Sequence, residues 1–108
     1  MGQIKFKDRQ IEIDDEGYLG SPDDWDKEVA QYLAERDEIE LTSEHWKVLD
    51  YLRHYYSKYR SIPPGWKVTR VLLKRMNKTI EWLYSLFNGK EQALDAIYKI
   101  AGFPKQYG

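Results

Sequence analysis

The sequence predicts an α+β, mostly helical fold: a short N-terminal antiparallel β-hairpin or meander packed on an array of about five helices, with a helix-turn-helix-like segment within it. Three observations carry this. Residues 3–13 alternate apolar and polar at the period of a strand. Most of the remaining chain places its apolar residues at the period of a helix. Capping and breaking residues cut that helical part into short pieces, with no linker long enough to divide it. The 108 residues suit a single domain with one core, spanning 1–108.

Each element has a local cause. Ile4 and Phe6, then Ile11 and Ile13, give a hairpin one apolar face, with Asp8-Arg9 as the turn. Asp14-Asp15-Glu16-Gly17 turns the chain again, and Tyr18-Leu19 offers a third short strand. Ser21-Pro22-Asp23-Asp24 reads as a helix start, with a capping Ser, Pro at the first helical position and acids in the first turn. Trp25, Val29, Tyr32 and Leu33 then recur at helical spacing to about Arg36. Thr42 caps the longest helix, on which Val48, Leu49, Leu52, Tyr55, Tyr56 and Tyr59 fall on one face. Pro63 stops it by forcing Ile62 out of helical space. A third helix runs from Trp66 to Met76 and breaks at Asn77. Thr79 caps a fourth to Phe87, closed by Asn88-Gly89. A fifth runs from Lys90 to Ala101 and stops at Gly102. Trp25, Trp46, Leu49, Leu52, Tyr55 and Leu72 are the expected core.

Composition excludes several kinds of chemistry. With no Cys there is no disulfide, thiolate metal site or thiol nucleophile among these residues. His45 lies on the apolar face of its helix and reads as structural, bonding near the helix start. His54 lies on the opposite side and reads as an exposed surface residue, so the two cannot share a metal. No phosphate loop, nucleophile triad or carboxylate pair stands out. No enzymatic site, cofactor or metal is expected. No signal-like or membrane-length apolar run occurs, which makes a soluble, cytoplasmic protein the expectation.

Net charge is −1, yet charge is segregated. Residues 8–50 hold fifteen acids and four bases, whereas residues 51–80 hold eight bases and no acid. On a helix, Lys67, Arg70, Lys74 and Lys78 form one stripe with Arg75 beside it, opposite Val68, Leu72, Leu73 and Met76. This is a basic face suited to an anionic partner. Succeeded by a turn and another helix, it also gives a DNA-binding reading. The next helix, however, offers almost nothing to read base edges, so nucleic acid is the alternative partner and not the preferred one.

Several segments, in order, resemble the sulfur-relay family of TusE and DsrC, the gamma subunit of dissimilatory sulfite reductase. They are Asp15-Glu16-Gly17-Tyr18-Leu19 with Trp25, Glu40-Leu41-Thr42-Ser43-Glu44-His45-Trp46, Leu52-Arg53 with Tyr55-Tyr56, Arg70-Val71-Leu72-Leu73-Lys74-Arg75-Met76, Leu83-Tyr84-Ser85-Leu86-Phe87, and Lys99-Ile100-Ala101-Gly102-Phe103-Pro104-Lys105. The resemblance covers about Asp14 to Gly108. It implies a cytoplasmic protein that docks on a sulfur-trafficking or sulfite-reductase-type partner through a mobile C-terminal arm, here 102–108. It also implies that Arg70 lies near the groove receiving that arm, pairing with a backbone carbonyl or the carboxylate of Gly108. Arg70, Lys74, Lys67, Lys78, Arg75, Lys105, Tyr107 and Gly108 are thus the candidate partner- or arm-binding residues.

The departures from the family pattern fall on its chemistry. The family's carrier cysteine comes after the glycine matched by Gly108, where these residues stop, and its second cysteine position holds Tyr98. The family's Pro after Leu86-Phe87 is Asn88, and about three extra residues lie between Pro64 and Arg70. A carrier needs a group that ionises near neutral pH, which Cys does and Tyr does not. A cysteine-less relative with a non-catalytic binding or regulatory role is the preferred expectation; a chain continuing to a C-terminal Cys is the other.

Overall fold

The structure, a computed structural model, describes residues 2–6 and 9–105. Strands β1 (Gly2–Phe6) and β2 (Arg9–Ile13) pair antiparallel, from Gly2 opposite Ile13 to Phe6 opposite Arg9. Arg9 therefore belongs to the strand and not to the expected Asp8-Arg9 turn; residues 7–8 lie outside the described set. Ile11 and Ile13 are buried as the alternation requires; the side chains of Ile4 and Phe6 lie outside the description. The Asp14–Gly17 turn is held by the Asp14 carboxylate, which accepts from the backbone N–H of Glu16 (3.0 Å) and Tyr18 (2.9 Å). The expected third strand reduces to one bridge, Ile13 with Leu19.

The first helical stretch divides. Pro22–Asp24 is a single 3-10 turn capped by Ser21, and α1 (Lys27–Arg36) begins afresh with Asp26 as its cap, accepting from Val29 N–H at 2.9 Å. Trp25, between them, is extended and donates its indole N–H to Ile100 O at 2.7 Å. A through-space bond to the far end of the chain thus wins over helix continuation. Helix α2 (Ser43–Tyr59) starts at Thr42 as expected and ends at Arg60, which has a left-handed φ of 50°. His45 is buried. Its Nδ1 accepts from Thr42 N–H (3.0 Å) and pairs with the Thr42 hydroxyl (2.8 Å), so Nε2–H donates to Leu86 O (2.8 Å). One side chain therefore caps α2 and ties it to the end of the fourth helix.

After Pro63-Pro64 the chain forms a π-helical segment, Lys67–Leu72, that runs directly into α3 (Leu73–Met76). Asn77, at φ 56°, breaks α3, and Thr79 caps α4 (Ile80–Leu86). Helix α5 (Ala93–Ile100) begins three residues later than its sequence pattern suggests, because residues 90–92 form turns.

Buried residues from β2 and each α- or π-helical element form one cluster, with Leu33 from α1, Leu49 and Leu52 from α2, Val68, Leu83, Ile97 and Phe103 at its centre. Trp25 and Trp46 pack against this cluster half-buried, while Leu72 is inside it. Tyr55 and Tyr59 depart from the expectation. Geometrically they continue the apolar face of α2, but the helix outruns the core, leaving Tyr55 half-buried and Tyr59 56% exposed.

Candidate functional site

The π segment settles how the basic residues are distributed. A π turn closes i→i+5 bonds and holds more residues per turn than an α-helix, so the stripe drawn at α-helical spacing splits into two rows. Lys67, Val71 and Arg75 line a hollow against α2, while Arg70, Lys74 and Lys78, exposed like Arg75, do not line it. Among the described residues neither Arg70 nor Lys74 has an ion-pair partner. The Lys78 ammonium lies 5.4 Å from the Trp82 ring.

The inner row and the C-terminal half of α2 enclose a hollow of about 160 Å³. Its α2 wall is Tyr51, His54, Tyr55, Lys58 and Tyr59. The tyrosines form a ladder, with ring centroids 6.5 Å apart for Tyr51–Tyr55 and 4.7 Å for Tyr55–Tyr59. Cations sit against the rings: Arg75 5.9 Å from Tyr51, Lys58 5.4 Å from Tyr59, and Lys67 4.7 Å from Trp66. Burial raises the Tyr51 phenol above its usual range, and Tyr55 and Tyr59 reinforce this while Arg75 opposes it. The site is a neutral aromatic floor under fixed positive charge.

A second arrangement holds residues 100–103, which end α5 and lead into the stretch the resemblance assigns to an arm, and it rests on two residues the sequence did not mark as functional. Arg53 donates to Ala101 O and to Pro22 O, each at 3.0 Å. Its guanidinium also lies 4.6 Å from the Trp25 ring, 5.2 Å from Phe103 and 5.4 Å from Tyr56. Burial lowers its pKa, yet it remains a cation at any ordinary pH. Trp25 bonds Ile100 O and covers Gly102, where a Cβ would lie 2.7 Å from Trp25 Cγ and 2.8 Å from its Cβ. Residues 100–103 thereby leave α5 in one fixed direction. Both residues stand in family-like segments of the sequence, Trp25 after Leu19 and Arg53 after Leu52, but that says nothing of contacts 75 and 48 residues away. Further along, Lys105 pairs with Glu16 at 3.2 Å. Tyr107 and Gly108, and with them any pairing of Arg70 with the terminal carboxylate, lie outside the described residues.

Tyr98, at the position the resemblance assigns to a second cysteine, is built into the core. It is 3% exposed, and its hydroxyl donates to Pro63 O at 2.6 Å, linking α5 to the double-proline turn. Burial, with the Tyr51 hydroxyl nearby, pushes its pKa up to about 12. Among the described residues no group of three or more His, Asp or Glu side chains is placed to hold a metal ion, and no helix is long and apolar enough to cross a membrane.

Comparison with known proteins decides the family. Residues 5–108 match the family described as DsrC like protein. The chain belongs to the DsrC-like family. It is 38% identical over 107 residues to sulfurtransferase TusE of Escherichia coli (strain K12), covering 93% of each chain. Its fold is similar to the NMR structure of Allochromatium vinosum DsrC, with a TM-score of 0.84 at 35% identity over 98% of this chain and 96% of that one. It also resembles the oxidized gamma subunit of dissimilatory sulfite reductase (DsrC) from Archaeoglobus fulgidus, with a TM-score of 0.80 at 34% identity over 99% and 98%.

These relatives support a sulfur-relay role and protein partners in sulfur trafficking. Set on the fold, most of the family-like segments serve structure. Thr42 and His45 start α2, Arg53 holds the Ala101 carbonyl at the end of α5, and Leu72, Leu73 and Met76 face the core. Arg70 and Lys74 are the members of that last run for which no ion-pair partner stands among the described residues.

Proposed function

We propose that this DsrC-like chain docks on a sulfur-trafficking or sulfite-reductase-type protein partner in the cytoplasm and regulates relay by occupying the site its cysteine-bearing relatives use. The chain acts as one domain over 1–108, and with no thiol in these residues it passes no sulfur itself. The observation that carries this reading is a family scaffold with its arm base clamped in place, combined with no Cys and with Tyr98 integrated into the core. Sulfur transfer through a carrier is attack by its thiolate on the outer sulfur of a donor persulfide, with the donor leaving as a thiolate. A phenol with its pKa near 12 offers no equivalent, and a thioether has no proton to lose. Binding without transfer is what such a scaffold can still do. Arg70 and Lys74 are the proposed partner contacts, since an exposed cationic pair steers an anionic surface into register.

A reconstituted transfer assay tests this. A cysteine desulfurase loads the upstream carrier with radiolabelled sulfur, and E. coli TusE receives it. Adding this chain in excess should slow labelling of TusE while the chain stays unlabelled. Unchanged transfer, with no complex by calorimetry, would reject the docking reading; label on this chain would reject the non-carrier reading. Sequence-selective duplex binding at physiological salt would favour the DNA-binding alternative instead.

A further inference from the structure

The hollow between α2 and the π segment has features that the fold does not require. Tyr59 and Trp66 are the exposed large hydrophobics among the described residues, at 56% and 53%. Tyr59 lines the hollow; Trp66 adjoins it through Lys67, whose ammonium sits on the Trp66 ring and whose side chain also lines the site. Exposed Trp and Tyr beside Lys and Arg, around a partly enclosed apolar floor, is the composition of an interface hot spot.

The shape and charge restrict the occupant. A hollow of about 160 Å³ is below the range of about 300–1,000 Å³ that cofactors and drug-sized ligands fill, so it suits one inserted side chain. No lining residue is acidic, and Lys58, Lys67 and Arg75 rim it. The acid-free stretch is short, however: Asp50 and Glu81 bound it, Asp23 pairs with Arg60 at 3.6 Å, and the chain as a whole carries −1. A long polyanion laid across this face would run onto acidic surface within a few residues. A brief acidic segment would not.

We infer that this cleft seats a short acidic segment of a partner protein, with one aromatic or large aliphatic side chain inserted between the tyrosine ladder and Val71 while flanking carboxylates meet Lys58, Lys67 and Arg75. The inference rests on the docking reading for the identity of the partner, and it names the chemistry of that partner's surface. The tyrosine hydroxyls along the wall add donors for the same carboxylates.

Four probes test it, with the chain labelled for two-dimensional NMR: a short Glu-rich peptide with a central Phe, the same peptide with Ala for Phe, its Gln-for-Glu counterpart, and oligothymidylate. The first peptide should shift the Trp66 indole resonance and the amides of residues 51–59 and 67–75. Affinity should fall by about tenfold when Phe is removed, when Glu is replaced by Gln, or in Tyr59→Ala and in Lys67→Ala combined with Arg75→Ala. It should also weaken with salt as charge is screened. The variants replace rim side chains and should melt like the parent, which circular dichroism checks. Shifts confined to the acidic half of the molecule, or no shifts, would overturn the inference. So would oligothymidylate binding at these residues more tightly than the peptide, which would make the face one for single strands. The transfer assay keeps the two readings apart. If Tyr59→Ala combined with Trp66→Ala competes as well as the parent, docking stands and this cleft is not its seat. If the parent does not compete but the peptide binds here, the cleft stands and the sulfur-trafficking partner does not.

Discussion

Arg53 is the residue whose replacement most directly tests how the arm base is held. It supplies two hydrogen bonds from a charged donor, each at 3.0 Å, to carbonyls of residues 22 and 101. Bonds of this class contribute about 1.5–3 kcal/mol each. Two offsets apply. Pro22 O also accepts from Trp25 N–H at 3.3 Å and is not orphaned when Arg53 is lost, and the guanidinium no longer has to be desolvated. Halving the gross sum of about 3–6 kcal/mol leaves a cost of about 2 kcal/mol for Arg53→Ala, or a fall in Tm of about 10 °C for a domain of this size. Arg53→Lys should recover about half of that, because an ammonium lacks the planar fork that reaches both carbonyls. Urea unfolding monitored by circular dichroism and tryptophan fluorescence measures both. A double cycle with Trp25→Phe should show coupling of about 0.5–2 kcal/mol, since the cation and ring are in contact. An Arg53→Ala variant within about 1 kcal/mol of the parent would refute the clamp and reduce Arg53 to a surface cation.

The same packing has three further consequences. Gly102→Ala must place a Cβ against Trp25 at a φ of 85°, so a loss of about 2–4 kcal/mol is expected by thermal unfolding, combining left-handed strain with overpacking. His45→Ala strands the Leu86 carbonyl and the Thr42 N–H and should cost about 2–4 kcal/mol in urea unfolding, since the change unpairs two partly buried groups. Tyr98 is neutral in the fold with its pKa raised to about 12, against about 10 when unfolded. Its contribution is complete below the lower value and is lost as pH rises through the higher, so stability should fall between those two values. Tyr98→Phe should flatten that part of the pH profile while lowering stability near neutrality by about 1 kcal/mol, through the unpaired Pro63 carbonyl.

Much of the helical architecture was legible because its ends are written in local chemistry. Thr42, Asn77, Thr79, Asn88-Gly89 and Gly102 each act on the neighbouring turn and stand at or beside the boundary they predict, whereas α2 ends ahead of Pro63, at Arg60 in the left-handed region. What could not be read depends on partners distant in sequence. The break at Trp25 exists because its indole bonds Ile100 O, 75 residues away. Lys67 and Arg75 line the cleft while Arg70 and Lys74 do not, and which row meets α2 depends on how the two helical segments pack, not on the spacing alone. Tyr55 and Tyr59 satisfy the periodicity of a buried face, but the end of α2 runs past the core, which leaves Tyr55 half-buried and Tyr59 exposed. Arg53 reads as an ordinary charged residue until both carbonyls it binds are placed.

If the scaffold is competent for docking and lacks only the thiol, supplying a thiol should restore loading, and mass spectrometry reads this without ambiguity. The chain, a variant with Cys and one further residue appended after Gly108, and a free peptide of residues 102–108 carrying the same extension are each incubated with a cysteine desulfurase and cysteine. We predict that the extended chain gains the mass of one sulfur atom, faster than the peptide, and that the parent gains none. An extended chain that folds but loads no faster than the peptide would mean that the docking surface is absent along with the thiol, and would contradict a docking-competent scaffold.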